Sequence, residues 1–237
     1  MNTDSSTRLH VFQSLWLQGA ALALPIALGY TPVAFAFGVL ANSAGISTSN
    51  VVLMSLLVYA GSSQLIVVGL FAAGAPALSI VLTTLVVNLR HLLMSASLSP
   101  YLQTWRLPEL AGFAYQLTDE TFALHSTRFH KQTPQKPVVF TLNMIAHAIW
   151  VFGSWLGCTA GKLIPDVSLY GLDFALPAMF IALLLLQFKD HLHIGVAALA
   201  GLFSLGLIQV GVTRWNVILA TLLASTIAVI VKQWTKR

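Results

Sequence analysis

Val86-Val87-Asn88-Leu89-Arg90-His91 places an amide, a guanidinium and an imidazole inside an apolar run that extends from Ala77 to Leu98. A helix between Pro76 and Pro100 rises roughly 35 Å, about one bilayer, and Asn88 falls at its middle. An arginine at the centre of a membrane helix is unfavourable by about 2.5–3.5 kcal/mol on insertion scales, so Arg90 is expected to face a partner, a cavity or a ligand rather than lipid. The structural alternative is that Arg90 caps carbonyls at a helix break and only braces the bundle.

The rest of the chain agrees with a membrane reading. It is 57% hydrophobic and 8% charged, with a mean hydropathy of +0.82, too few charges to cover a water-soluble globule. Its 237 residues accommodate about seven spans of roughly 20 residues. The expected fold is all-α: a polytopic helical membrane bundle, one domain over residues 1–237, with broken or kinked helices near the N-terminus and mid-chain. The net charge of +5 comes from basic residues scattered at the ends of apolar runs, which suits anionic lipid surfaces and does not imply nucleic acid. Cys158 is the single cysteine, so no intrachain disulfide or thiolate metal cluster is expected. There is no HExxH pattern, Gly-rich phosphate loop or nucleophile–base spacing, so no enzyme reading, cofactor or metal site competes.

Met1 to His10 is polar and is followed by an apolar stretch without a signal-type cleavage site, so the first helix is expected to be retained. From Phe12 to Ala41 the run is punctuated by Gly19, Pro25, Gly29, Pro32 and Gly38, which predicts a kinked or broken span. Ser47 to Asn50 offers N-cap chemistry for a span over Val51–Ala73, interrupted near its middle by Gly61-Ser62-Ser63-Gln64. Ser63 and Gln64 either brace neighbouring helices or line a cavity.

Residues 102–137 form the longest polar region, and its basic residues Arg106, Arg128, Lys131 and Lys136 mark it as a cytoplasmic loop. Within it, Leu110 to Leu124 predicts an interfacial helix or a partly inserted hairpin, with Thr118 capping a turn begun by Asp119 and Glu120. Further spans are expected at Val138–Gly161, Leu172–Phe188, Ile194–Val212 and Trp215–Val231. The basic tail of Lys232, Lys236 and Arg237 places the C-terminus in the cytoplasm. Counting back puts the N-terminus outside, and a hairpin in the first segment would reverse that.

Asn88, His91 and Ser95 share one stripe of their helix, whereas Arg90 projects about 100 degrees from His91. His91 is a candidate proton carrier or a structural hydrogen-bonding residue. His147 shares a face with Asn143 and Val151, while His191 and His193 fall in a turn at a membrane edge. Only seven acidic residues exist, so Asp119, Glu120 and Asp173 stand out. Asp173, just ahead of Phe174-Ala175-Leu176-Pro177, either caps a helix or binds an amine or a proton. The segments around Pro32 and Pro177 look alike, and paired Pro-interrupted spans point to transporter binding sites. Broken spans could offer a zwitterion a cation or helix N-terminus, a carboxylate and an apolar pocket.

Taken in order, Gly61-Ser62-Ser63-Gln64, Val87-Asn88-Leu89-Arg90-His91, Leu117-Thr118-Asp119-Glu120-Thr121-Phe122 and Gly171-Leu172-Asp173-Phe174-Ala175-Leu176-Pro177 resemble the AzlC/YgaZ family, the large subunits of bacterial branched-chain amino acid exporters. The likeness covers about Gly19 to Leu223. It implies an inner-membrane permease exporting leucine, isoleucine, valine and often methionine, driven by the proton gradient and working with a small AzlD/YgaH-like membrane subunit. The family commonly has alanine where this chain has Ser62, and an aromatic-glycine pair where it has Leu93-Met94-Ser95. On this view Arg90, or a helix end beside Asn88, receives the substrate carboxylate, Ser63 and Gln64 line the cavity, and Asp173 or His91 exchanges the proton. A passive pore and a scaffold for the small subunit are the alternatives.

Overall fold

A computed structural model describes residues 3–163, 191–212 and 216–235, with isolated positions at 171, 174, 177–178, 181 and 184–185. The described elements are helical: α1 (Thr3–Ser43), α2 (Thr48–Leu57), α3 (Gly61–Ala72), α4 (Ala77–Leu98), a 3-10 turn at Ser99–Tyr101, α5 (Leu107–Tyr115), α6 (Asp119–Phe129), α7 (Lys136–Gly161), α8 (His191–Gln209) and α9 (Asn216–Thr235). Residues 1–179 and 180–237 are two compact units. In the second, α8 and α9 pack on each other, and Asn216 Nδ2 donates to Ser204 Oγ at 2.9 Å.

Ser14–Ser43, Ala77–Tyr101, Lys136–Gly161 and Leu192–Gln209 are each long and apolar enough to cross a membrane. Their outward surfaces carry leucines such as Leu17, Leu28, Leu92 and Leu202, all at least two-thirds exposed. Burying such a surface in hydrocarbon is the favourable solution, which makes this an all-helical membrane bundle. The predicted span Leu172–Phe188 lies largely outside the described residues.

The axis of the first unit is the pairing of α1 with α7. Their contact is set by small residues, which let two backbones approach where lipid tails compete equally for larger side chains. A Cβ on Gly19 would come within 2.7 Å of the Val138 carbonyl oxygen, and one on Gly153 within 2.8 Å of the Ala34 methyl. A Cβ on Gly38 would overlap the Ser154 carbonyl, and one on Gly157 the carbonyl of Phe35. Around this seam Ala23, Ile26, Tyr30, Leu142, Ala146 and Trp150 are buried together.

Of the two forms expected for the first span, kinked or broken, the break at Pro32 is corrected: α1 continues through both Pro25 and Pro32. Each proline removes a single backbone donor, and close packing on α7 holds the helix across the gap. Thr31 turns its hydroxyl back onto the Ala27 carbonyl at 2.8 Å. Nor is there a break in α4, which runs through Asn88, Arg90 and His91 without interruption. Pro177 is helical, while residues 175 and 176 before it lie outside the described set.

The true discontinuities are Val58-Tyr59-Ala60, between α2 and α3, and Gln116-Leu117-Thr118, between α5 and α6. Ser47 caps α2, accepting from the Asn50 N–H, as its position predicts. Tyr59 has φ 43°, a left-handed conformation that is strained for a bulky residue and persists only where the surroundings enforce it. The region expected as a polar loop contains the second helix pair. Phe113, Leu117 and Phe129 from that pair are buried with Met94, Trp105 and Val139, and Lys136 Nζ on α7 binds Glu109 at 2.7 Å. That ammonium, with the Arg106 backbone N–H, holds the Glu109 carboxyl below the usual carboxylate range.

Candidate functional site

A broken helix in a membrane frees backbone groups that must find partners inside the protein. At the first break the Tyr59 N–H reaches back to the Met54 carbonyl, leaving the carbonyls of Ser55 and Leu56 without their usual helical donors. His147 Nε2 on α7 donates to the Ser55 carbonyl at 3.1 Å. The Tyr115 hydroxyl at the end of α5 donates to the Leu56 carbonyl. The imidazole of His147 also stacks on the Tyr59 ring, with centroids 3.9 Å apart. His147 is therefore a structural group, as is Asn143, whose Oδ1 lies 2.8 Å from Nε2 of the buried His125.

Gln64 has a comparable role in a polar chain through the core. Its Nε2 donates to Ser55 Oγ at 3.2 Å, its Oε1 accepts from Trp150 Nε1 at 3.0 Å, and Ser55 Oγ donates to Ser154 Oγ at 2.8 Å. Gln64 and Ser63 are both fully buried, and Ser63 Oγ donates to the Ala60 carbonyl at 2.9 Å. Gly61 is required there because a Cβ would lie 2.6 Å from the Trp150 ring. These contacts fix the start of α3, whose N-terminus no side chain caps, leaving its first N–H groups and positive dipole end available.

Arg90 reaches this helix start from α4, donating to Ser62 Oγ and pairing with Asp119 Oδ2 at 3.0 Å. Its Nε is buried without a hydrogen-bond partner, as are Asn88 Oδ1 and His91 Nε2. The guanidinium thus has one carboxylate and one hydroxyl and retains unused donor capacity.

Asp119 and Glu120 open α6, where Thr118 is the N-cap: its N–H donates to Thr121 Oγ1 at 2.8 Å and its own Oγ1 accepts from the Thr121 N–H at 3.3 Å. This is the capping expected from the sequence. While Asp119 turns to Arg90, Glu120 turns to α1, accepting from the Tyr30 hydroxyl at 2.8 Å. The Tyr30 hydroxyl is also 2.5 Å from Thr118 Oγ1.

The structure therefore gathers Ser62, Arg90 and Asp119 in one cluster and links Glu120 to Tyr30 and Thr118. Ser63 and Gln64 support the α3 start from behind. Asp173 lies outside the described residues. Tyr30, Tyr59, Tyr115, Ser55 and Trp150 are participants that sequence patterning did not single out. The available signal was Tyr30 itself, a phenol in the middle of the apolar run of α1. Among the described residues no group of three metal-ligating side chains occurs.

Long apolar helices packed with two discontinuous helix pairs, the start of α3 uncapped beside Arg90, define an all-helical integral membrane protein. Comparison with known proteins gives the family. The family model described as AzlC protein matches residues 25–164, and the chain belongs to that family. It is 32% identical over 215 residues to the inner membrane protein YgaZ of Escherichia coli, covering 87% of this chain and 85% of that one. Identity is 33% to an uncharacterized membrane protein of Archaeoglobus fulgidus, with 88% and 92% covered. It is 25% to the branched-chain amino acid transport protein AzlC of Bacillus subtilis, with 89% and 83% covered. No solved structure matches.

Proposed function

We propose that this chain is the large subunit of a proton-coupled inner-membrane exporter of branched-chain amino acids, with methionine as a further substrate and a small AzlD/YgaH-like subunit as its partner. The observation that carries the reading is the convergence of Arg90 with the uncapped start of α3. A substrate carboxylate is the anion that such a pair accommodates: it would take the unused donors of Arg90 and the first N–H groups of α3 together. Asn88 lies two residues from Arg90 on α4. Val52, Leu56, Gln116, Met144, His147 and Phe152 help line an open apolar groove of about 510 Å³ that adjoins the segments flanking both helix breaks. The name borne by the Bacillus subtilis relative supports the substrate class.

Efflux from cells preloaded with leucine, isoleucine, valine or methionine tests this reading. Arg90→Gln, at wild-type abundance in the membrane, is expected to lower leucine efflux at least tenfold, and Asn88→Ala to lower it less. Undiminished efflux from Arg90→Gln would remove the carboxylate site, and no gene-dependent efflux of any of the four would remove the exporter reading. Loss of activity without the small subunit's gene is the expected result for an obligate partner.

A further inference from the structure

We infer that Glu120, held by Tyr30, is the exchangeable proton site of this carrier, an inference that rests on the transport reading above. The argument starts from charge pairing. Arg90 is taken by Asp119 at 3.0 Å, and among the described residues no cation lies within 4 Å of Glu120. A carboxylate withdrawn from water inside an apolar bundle must be neutralised by a proton or compensated by hydrogen bonds and a cation.

What surrounds Glu120 is a set of hydroxyls. Tyr30 on α1 donates to its Oε2 at 2.8 Å, and Thr118 lies 2.5 Å from the Tyr30 oxygen. Tyr59, from the break between α2 and α3, is 2% exposed and lies within electrostatic reach of both Tyr30 and Glu120. The Tyr59 phenol completes no hydrogen bond of good geometry. A buried hydroxyl left over beside a half-buried carboxylate marks a place where a proton changes the bonding pattern: protonated Glu120 is a donor with an oxygen to seek, and ionised Glu120 is only an acceptor.

The other charged or titratable groups near this set are Asp119 on α6 and, through it, Arg90 and His91 on α4. Tyr115 on α5 and His147 on α7 lie beyond Tyr59. Asp119 disfavours ionisation of Glu120, and its pairing with Arg90 weakens that effect. The proton enters on a Glu120 carboxyl oxygen from one aqueous phase and leaves from the same oxygen to the other.

The full chain, reconstituted in vesicles with its small subunit where that co-purifies, gives two readouts: uphill leucine accumulation driven by an imposed pH gradient, and leucine counterflow without a gradient. Glu120→Gln is expected to lose gradient-driven accumulation at least tenfold while counterflow continues and no longer varies with pH. Tyr30→Phe removes the hydrogen bond that favours the ionised carboxylate, so the pH midpoint of counterflow is expected to move upward. Retained gradient-driven accumulation in Glu120→Gln overturns the proton site and leaves the transport reading intact. So does loss of both readouts in a variant that melts like wild type, which would make Glu120 a substrate-binding group. Accumulation that follows a sodium gradient instead of pH overturns it in favour of a metal cation, and wild-type protein inactive in both assays overturns the transport reading and the proton site with it.

Discussion

Gly157→Val is expected to remove nearly all folded protein from the membrane. The obstacle at this position is backbone: a Cβ on Gly157 overlaps the carbonyl of Phe35 on α1, and no rotamer change can clear it. Overpacking a core costs typically about 1–3 kcal/mol, occasionally more, when side chains are able to shift. Here two helix axes must separate, and the neighbouring contacts at Gly38, Gly153 and Gly161 loosen with them. Gly29→Val and Gly29→Ala are the matched controls, because nothing lies within 4 Å of a Cβ at Gly29. Quantifying detergent-extracted, monodisperse protein by size-exclusion chromatography checks the expectation: at least a tenfold loss for Gly157→Val and wild-type yield for Gly29→Ala. Normal yield and melting temperature for Gly157→Val would mean that α1 and α7 do not meet at this seam.

The second large effect concerns the pair between Arg90 and Asp119. Their side chains are 28% and 24% exposed, so each is largely withdrawn from solvent. Removing one member leaves the other charge uncompensated, which costs about 3–5 kcal/mol for fully buried pairs and less where water or headgroups still reach. Arg90→Gln and Asp119→Asn are each expected to lower the melting temperature in detergent. The double variant should recover most of the loss, because two neutral amides can bond where one stranded charge cannot. That corresponds to a coupling of about 0.5–3 kcal/mol. Leucine efflux is expected to stay low in the double variant, which separates the bracing role of the pair from the ligand role proposed for Arg90. Strictly additive melting shifts would show that the two side chains do not interact.

These expectations rest on parts of the protein that were legible to different degrees. Hydropathy is a sum of local transfer energies, so the membrane class, the long helices α4 and α7, and the cost of Arg90 at mid-span could be read directly. Capping is equally local, and Thr118 just ahead of Asp119 and Glu120 announced the start of α6. Proline misled at α1: it signals a lost donor, and whether the helix then breaks depends on what packs across the gap. In α1 the glycine-lined contact with α7 keeps it helical through Pro32. The break between α2 and α3 was placed a few residues late, at the polar Gly61-Ser62-Ser63-Gln64, because its actual centre, Val58-Tyr59-Ala60, is apolar in sequence.

The chain alone thus determined that charged and amide side chains would sit inside a membrane bundle, since periodicity and composition fix what each segment can bury. Only the tertiary structure decided what those groups meet. Tyr30 and Glu120 are 90 residues apart, and Arg90 and Ser62 are 28 apart. The partners that complete the carbonyls of Ser55 and Leu56 come from α7 and α5. Such pairings depend on which helix faces lie opposite one another. That is set by the small-residue seam between α1 and α7 and by the two helix breaks together, and no local pattern around Asn88-Leu89-Arg90-His91 encodes it.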